Sequence, residues 1–245
     1  MFDYSARLVL LVAHPDDESI GAGILLQRLR HAYIVFCANG PSWWPPYWLN
    51  YGLPHKRAQL RKQEAHHAID ITGKNHSIQF LGYPVGWLVT HLDDAYRSLA
   101  DLLRAWQPQQ VVTHAFEGGH EDHDACSFLA CQLSKAFNFK VWEMPLYYRE
   151  ASTGAEIRQT FTTDDPDSEI ITPISGSELE VKRAMLSAHK SQREIVARFD
   201  PAIEKFCPQP LHDYSRVPKG TRPKKVFGIS PYRSSKAFQL WKTPS

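Results

Sequence analysis

The sequence of 245 residues contains no apolar run of the roughly 20 residues that a membrane-spanning helix needs. Charge of one sign is not in excess either, because 28 lysines and arginines stand against 26 aspartates and glutamates. A formal net charge of +2 gives no reason to expect nucleic acid or an anionic membrane as the main partner. We therefore expect no membrane span and no nucleic-acid partner.

Cysteine is scarce, and its four positions lack the paired spacing of zinc ribbons and redox motifs: Cys37, Cys126, Cys131 and Cys207. Cysteines of this kind are typical of small buried side chains in a reducing compartment. The N-terminal segment also lacks the basic stretch and the small-residue cleavage site of a secretory signal. We expect a cytoplasmic protein.

What the chain does have is an ordinary globular composition, with 43% hydrophobic, 22% charged and 12% aromatic residues. This balance argues against long disorder and against a fibrous repeat. Short apolar runs alternate with amphipathic segments, which predicts strands at 7–13, 33–37, 77–81, 110–114 and 140–144 and helices at 21–31, 56–71, 91–106 and 124–135. The alternation predicts an α/β fold with a Rossmann-like, mostly parallel sheet and helices on both faces.

After Tyr148 the pattern weakens. Two short strands are predicted at 157–161 and 170–174, followed by a long helix at 178–199. The segment from residue 201 is rich in proline, lysine and arginine and has no clear periodicity. We predict one domain over residues 1–200 and a C-terminal extension over residues 201–245 that packs on it.

The first polar cluster, His14-Pro15-Asp16-Asp17-Glu18, follows the first predicted strand. Open α/β sheets bind ligands at the carboxyl ends of their strands. Three successive carboxylates repel one another unless a cation or helix N-terminal amides compensate. The cluster therefore indicates either an acidic helix start or a metal site with imidazole and carboxylate ligands.

The second cluster runs from Glu117 to Asp124 and follows the strand predicted at 110–114. It contains two glycines, which allow a tight turn, and the pair His120 and His123 with acidic residues between them. Alone, it could be a polar loop before a capped helix. Two such clusters at the ends of central strands face one crevice, and together they supply a three-ligand hydrolytic metal site with an open position.

These clusters resemble the two signature motifs of the PIG-L/LmbE-like deacetylases, which are zinc-dependent N-acetylglucosamine deacetylases and related amidases. The first motif corresponds to Ala13-His14-Pro15-Asp16-Asp17-Glu18 followed by Gly21. The second corresponds to Gly119-His120-x-Asp122-His123, with Glu121 where the family has proline. The similarity extends with decreasing clarity from residue 7 to about residue 199 and leaves the tail outside.

The resemblance implies a role for each motif residue. One Zn²⁺ per chain, or another divalent metal, would be held by His14, Asp17 and His123. Asp16 would be the general base that takes a proton from the attacking water and returns it to the leaving amine. His120 would stabilise the oxyanion and Asp122 would orient a neighbouring histidine, while Glu18 would support the site from behind.

Two further residues have two interpretations each. Arg61-x-x-Glu64, on the second predicted helix, resembles the family's Arg-x-x-Glu, in which the arginine contacts substrate; the alternative is a surface ion pair between the two residues. His114 ends the strand that presents the second cluster, so it either lines the pocket or is an ordinary strand-end residue.

The chain departs from the family where the substrate would lie. The family's Pro-Asp-Gly, whose aspartate lies near sugar hydroxyls, is replaced by Tyr83-Pro84-Val85-Gly86. Residues 43–51 carry five aromatic side chains, which would either cover a sugar, lipid or aryl group or contact another subunit or the tail. We expect a small N-acetylated sugar or glycoconjugate as the substrate, and a homo-oligomer is left open.

The sequence thus predicts a zinc-dependent hydrolase that removes an N-acetyl or N-acyl group from an amino sugar or its conjugate. One alternative is a sugar- or nucleotide-binding Rossmann-like module without turnover, although Gly21-Ala22-Gly23 comes late and lacks the third glycine of a dinucleotide site. The other is a two-metal phosphoesterase, which needs more carboxylate ligands than the two clusters offer.

Overall fold

The structure, a computed structural model, describes residues 3–40, 53–162, 170–171 and 173–222. Its strands are β1 (Leu8–Val12), β2 (Tyr33–Phe36), β3 (Ser77–Phe80), β4 (Gln110–His114), β5 (Lys140–Met144), β6 (Tyr147–Arg149), β7 (Glu156–Arg158), β8 (Ile170–Ile171) and β9 (Lys205–Pro208). Its helices are α1 (Asp17–Arg28), α2 (Pro54–Asp70), α3 (Leu92–Trp106), α4 (Glu121–Phe137), α5 (Gly176–Ala188) and α6 (Arg193–Val196), with short 3-10 helices at Leu88–Thr90 and Lys190–Gln192.

Within the described residues, seven strands form one sheet in the order β3-β2-β1-β4-β5-β9-β8. The strands from β3 to β5 in this order are parallel, and β9 is antiparallel to both of its neighbours. The predicted α/β, mostly parallel, Rossmann-like fold is confirmed. After β1 the chain builds outward through β2 and β3 and then returns to place β4 on the other side of β1. Folds of this kind bind ligands at that switch point, beyond the carboxyl ends of the strands.

The central strand β1 is buried along its whole length because helices cover both faces of the sheet. Val9 and Leu11 pack with side chains of α3 and α4, whereas Leu8 and Leu10 pack with side chains of α1, α2 and α5. A strand covered on both faces has no polar positions to alternate with the apolar ones. The apolar run in the sequence is the direct result.

Helix boundaries differ from the prediction at the two polar clusters. α1 begins at Asp17 rather than at residue 21, and α4 begins at Glu121 rather than at residue 124. In both cases acidic residues form the first helical turn, where they interact favourably with the positive end of the helix dipole. The helix predicted at 178–199 is interrupted, because α5 ends before His189, whose φ of −80° and ψ of 60° are not helical.

The described part of the C-terminal extension belongs to the main sheet. β9 pairs with β5 on one side and with β8 on the other, and Tyr214 is fully buried beside Phe116 and Phe128. The sequence showed no strand here because β9 is only four residues long and ends in proline. The short strand expected at 157–161 is β7, which forms a hairpin with β6. The domain boundary at residue 200 stays a prediction.

The aromatic segment 43–51 and the tail beyond residue 222 lie outside the described residues. Among the helices that are described, none has the length and apolar character needed to cross a membrane.

Candidate metal centre

The two polar clusters meet at the switch point of the sheet. His14 and Asp17 lie in the connection from β1 to α1, and His123 lies in the first turn of α4, which follows β4. β1 and β4 are neighbours, with Leu11 opposite Thr113, so their carboxyl ends are adjacent. The fold therefore brings residues more than 100 positions apart to one place, as the sequence predicts.

Three potential ligand atoms converge there: His14 Nδ1, Asp17 Oδ2 and His123 Nε2. The two nitrogens are 3.2 Å apart, and each lies 3.4 Å from the carboxylate oxygen. Bonds of about 2.0–2.1 Å in tetrahedral geometry place neighbouring ligand atoms about 3.3–3.4 Å apart. All three residues are buried. The donor set and its spacing fit a small divalent cation such as zinc.

The contact of His14 Nε2 with Asp122 determines which ring nitrogen of His14 faces the other two ligand atoms. Nε2 lies 3.0 Å from Asp122 Oδ2, so Nε2 donates and the lone pair of Nδ1 points to the proposed ligand position. Burial disfavours charge on this ring, yet contacts with Asp122 and Asp17 raise the pKa of His14 to about 10. The two carboxylates thus stabilise one positive charge at this ring, either a second ring proton on Nδ1 or a cation that replaces this proton at the Nδ1 lone pair.

Asp122 also connects the centre to the loop after β3. Its two oxygens accept hydrogen bonds from Gly86 N at 2.6 Å and from Leu88 N at 3.0 Å. One buried carboxylate therefore fixes both the ring of His14 and the backbone of this loop. The sequence predicted that Asp122 orients a histidine; the histidine it contacts most closely is His14, with His120 Nδ1 at 3.9 Å.

His123 has an environment suited to a neutral ligand. Burial, together with the neighbouring His114, lowers the pKa of His123 to about 4. Its ring stacks on that of His114 with centroids 4.0 Å apart and an angle of 9° between the planes. A neutral imidazole keeps the lone pair that a metal needs.

Asp16 lies beside the three ligand atoms in an unusual backbone conformation, with φ of 149°. Its Oδ1 is 3.1 Å from Arg61 Nη2, which also donates to the carbonyl of Pro15 at 3.0 Å. Burial raises the pKa of Asp16 to about 6, although Arg61 acts in the opposite direction. A carboxylate that titrates near neutrality has the proton affinity of a general base.

His120 is the N-cap of α4 and accepts a hydrogen bond at Nδ1 from the backbone N–H of Asp122, at 3.1 Å. This bond places the ring proton on Nε2. The ring is edge-on to that of His14, with centroids 4.5 Å apart. His120 therefore offers an N–H donor next to the cluster.

Arg61 and Glu64 each bind other residues and do not form an ion pair with each other. Arg61 binds Asp16 and Pro15, as described above, whereas Glu64 accepts from Ser191 N at 2.8 Å and from Ser191 Oγ at 2.6 Å. Both side chains are mostly buried. The alternative of a surface ion pair between these two residues is therefore wrong.

His114, which the sequence left with two interpretations, lies inside the centre, next to Asp17 and His123. It is fully buried, accepts from Ala13 N at 2.9 Å through Nε2, and has that nitrogen 3.3 Å from Asp17 Oδ2. Its position at the end of the strand next to β1 was the signal for this role.

Glu117 is a supporting residue to which the sequence gave no role. Its Oε1 accepts from the backbone N–H groups of Leu146 and Tyr147, both at 2.9 Å, and burial raises its pKa to about 8. Tyr147 in turn lies edge-on to His123, with centroids 5.5 Å apart. A Cβ on Gly119 would collide with the carbonyl oxygen of Tyr147, so only glycine allows this close approach.

A similar fold occurs in enzymes of more than one activity. A deacetylase triple mutant from the teicoplanin biosynthetic pathway is 17% identical, with a TM-score of 0.63 over 84% of this chain and 99% of that chain. The 4-carboxy-2-hydroxymuconate hydratase of Pseudomonas putida KT2440 is 15% identical, with a TM-score of 0.55 over 90% of this chain and 99% of that chain. These likenesses show the fold alone, since it hosts both a deacetylase and a hydratase.

Sequence similarity is more specific. The 1D-myo-inositol 2-acetamido-2-deoxy-alpha-D-glucopyranoside deacetylase of Streptomyces griseus subsp. griseus is 29% identical in an alignment of 150 residues that covers 50% of this chain and 47% of the relative. The chain thus spans about half the length of the curated relative it matches. The family model PIG-L, described as GlcNAc-PI de-N-acetylase, matches residues 9–134, just over half of the chain, and includes both motifs. The chain therefore belongs to the PIG-L family.

Proposed function

We propose that the protein is a zinc-dependent hydrolase that removes an N-acetyl, or more broadly an N-acyl, group from an amino sugar or an amino-sugar conjugate. The observation that carries the proposal is the set of three ligand atoms, 3.2–3.4 Å apart, next to Asp16, whose carboxyl group interacts electrostatically with Asp17 and His14. Membership of the PIG-L family supports the same reaction. The substrate would be a small N-acetylated sugar or glycoconjugate, and we propose that the protein acts in the cytoplasm.

His14, Asp17 and His123 are the residues that we assign to the metal, one ion per chain. Two imidazoles and one carboxylate form a common catalytic zinc set with a position left for water or substrate. When bound, a divalent metal lowers the pKa of a coordinated water and polarises the carbonyl of the amide. Asp122 keeps His14 in the tautomer that this assignment requires.

Asp16 is the residue that we assign to proton transfer. Arg61 contacts Oδ1, so Oδ2 is the oxygen that would accept the proton of the attacking water. The same carboxyl group would then deliver this proton to the nitrogen of the leaving amine, because an amine leaves poorly as an anion. One residue thus serves as base in the first step and as acid in the second.

His120 and Arg61 complete the assignment. The Nε2–H of His120 would donate to the amide oxygen, and this bond becomes stronger as negative charge develops on that oxygen. We retain Arg61 as a substrate-contacting residue. Its Nη2 holds Asp16 and Pro15, and the rest of its guanidinium group would face the bound sugar.

The test combines metal analysis with a screen for acetate release from N-acetylated amino sugars, sugar nucleotides and thiol conjugates. We expect about one zinc per chain, acetate release from at least one substrate, and loss of activity with a chelator that returns when Zn²⁺ is added. Release of inorganic phosphate from phosphate esters without acetate release would instead support the phosphoesterase. Binding of a sugar or NAD(H) by the metal-free chain without any turnover would support the binding module.

A further inference from the structure

Asp16 has a backbone conformation that its own sequence neighbourhood does not favour. Its φ of 149° and ψ of −27° lie outside the regions that residues with a side chain commonly adopt. Such conformations persist only where the surrounding structure holds them. Asp16 is also the N-cap of α1, yet its side chain makes no capping hydrogen bond, because the carboxylate faces Arg61 instead. Contacts from outside this short segment must therefore hold it.

The backbone N–H of Asp16 is held by Glu18. Glu18 Oε2 accepts this N–H at 2.9 Å, and the side chain of Glu18 is completely buried. A buried carboxylate is stable only when other groups compensate its charge. Those groups bind the other oxygen: Ser19 Oγ donates to Oε1 at 2.7 Å, and His189 Nε2 lies 2.9 Å from it.

His189 reaches Glu18 from a position 171 residues away, at the point where α5 ends. Its side chain is fully buried, so the contact with Glu18 is shielded from water. The segment that follows is attached to α2, because Ser191 donates to Glu64 through both its backbone N–H and its hydroxyl. Glu64 lies one helical turn from Arg61, the residue that holds the Asp16 side chain. Helix α2 therefore contributes to both sets of contacts: its Arg61 binds the Asp16 carboxylate, and its Glu64 binds Ser191, two residues after His189.

We propose that Glu18, Ser19 and His189 form a positioning unit that holds the Asp16 backbone in its strained conformation and so aims the carboxylate at the reacting water. This inference rests on the proposed function for its catalytic meaning. The hydrogen-bond partners of His189 Nε2 are Glu18 Oε1 and Ser19 Oγ, so His189 acts on Asp16 through Glu18. His189 lies at the break in the late helix, with non-helical φ and ψ, and from this position its ring reaches Glu18.

The structure contains a matched control. Glu143 and His212 form another imidazole–carboxylate contact, with 2.8 Å between His212 Nε2 and Glu143 Oε1, and Glu143 is also buried. This pair joins the C-terminal segment to β5 and the Ser127 hydroxyl rather than to the 14–18 segment. His212 is more exposed than His189, with 14% against 0% of its side chain accessible, so the two variants need not be equally stable. A purely structural role predicts a loss of stability without a specific loss of kcat for either histidine, whereas a positioning role predicts a loss of kcat for His189 alone.

The kinetic test compares His189→Ala, His189→Gln and His212→Ala in the zinc-loaded protein on an N-acetylated amino sugar. We expect His189→Ala to lower kcat by about 10- to 100-fold with KM and zinc content nearly unchanged. His189→Gln, which keeps an N–H donor for Glu18, should recover most of the loss, and His212→Ala should stay within about 2-fold of the wild type. Equal losses in the two alanine variants, loss of zinc, or wild-type kcat in His189→Ala would overturn the proposal.

A second test needs no activity and therefore separates this inference from the proposed function. Asp16→Gly and Asp16→Ala both remove the carboxylate, but only glycine adopts a positive φ without strain. In the wild-type background, Asp16→Gly should melt about 2–8 °C above Asp16→Ala. In the His189→Ala background, this difference in melting temperature should fall to less than half of its wild-type value. In the His189→Gln background, most of the difference should remain. An unchanged difference in His189→Ala would overturn the positioning role even if the protein had no deacetylase activity.

Discussion

The two segments that supply the metal ligands hold their helix N-caps in different ways. In the second, residues 117–124, the backbone turn before the helix is held locally: His120 accepts from Asp122 N, and Asp124 Oδ1 accepts from Glu117 N and Gly118 N. The N-cap His120 has ordinary extended angles, with φ of −142°. In the first, residues 14–18, the N-cap Asp16 has a φ of 149° and depends on Arg61 and, through Glu18, on His189.

The difference shows that the conformations of two similar helix starts are sensitive to substitutions in different parts of the chain. The backbone turn at the N-cap of the second segment should depend mainly on residues of that segment, because the hydrogen bonds to Glu117 N, Gly118 N and Asp122 N close within a few positions. The first segment should respond to substitutions on α2 and after α5, far away in the sequence. It also carries the proposed base, and reactive groups are often held in conformations that only tertiary contacts can maintain.

The largest effects should come from the ligands, where the two segments are equivalent. We expect His14→Ala and His123→Ala, one from each segment, both to lose most of the bound zinc and nearly all acetate release. Each leaves two of the three donor atoms, and three are needed for tight binding. Metal analysis after gel filtration measures this, with His212→Ala as the control. Full zinc content in either variant would contradict the ligand set.

The next effect should separate the segments. Asp16→Asn keeps the size of the side chain but removes its ability to accept a proton, so we expect kcat to fall by about 10²- to 10⁴-fold. Zinc content should remain that of the wild type, because Asp16 is not among the three converging ligand atoms. Turnover by Asp16→Asn close to that of the wild type would show that another group transfers the proton.

Asp122→Asn tests the one carboxylate that connects the two segments. An asparagine keeps only one of the two oxygens that accept from the loop amides of Gly86 and Leu88, and it supplies no charge for His14 Nε2–H. We expect zinc affinity to fall by about 10- to 100-fold, in line with other losses of carboxylates behind metal-bound histidines. Competition with a chromophoric chelator measures the change. Wild-type affinity would mean that His14 needs no carboxylate partner.

The smallest effect concerns stability at Glu117, at the start of the second segment. Burial raises its pKa from 4.5 to about 8, so folding takes up a proton between these pH values and the free energy of unfolding falls as pH rises through this window. Glu117→Gln should remove this part of the pH dependence, which is at most about 1.4 kcal/mol per pH unit.

Urea unfolding at pH 5.5 and 7.5 measures that slope. Glu150→Gln is the control and should leave the slope unchanged, because the hydrogen bond from Thr153 lowers the pKa of Glu150 below 4.5, outside this pH window. Equal slopes in the wild type and in Glu117→Gln would show that Glu117 is ionised in the folded protein.

Much of the fold was accessible from the sequence because burial on both faces leaves a direct trace. The runs of β1 and β2 are apolar, β4 has an apolar centre at Val111 and Val112, and α3 has the regular apolar spacing of a helix with one buried face. β9 left no such trace, since four residues at the edge of the parallel region are too few for a periodic pattern. The helix starts at Asp17 and Glu121 were missed because acidic residues in a first turn look like loop residues.

The sequence by itself determined which strands lie in the centre of the sheet and which ligand types follow them, because both can be inferred from the residue types of short continuous segments. Only the tertiary structure decided the partners: Arg61 with Asp16 rather than Glu64, Asp122 with His14, and His189 with Glu18. The physical reason is range. Burial and helical periodicity act between neighbours along the chain, whereas a hydrogen bond between residues 45, 108 or 171 positions apart exists only after both elements have packed on the same sheet.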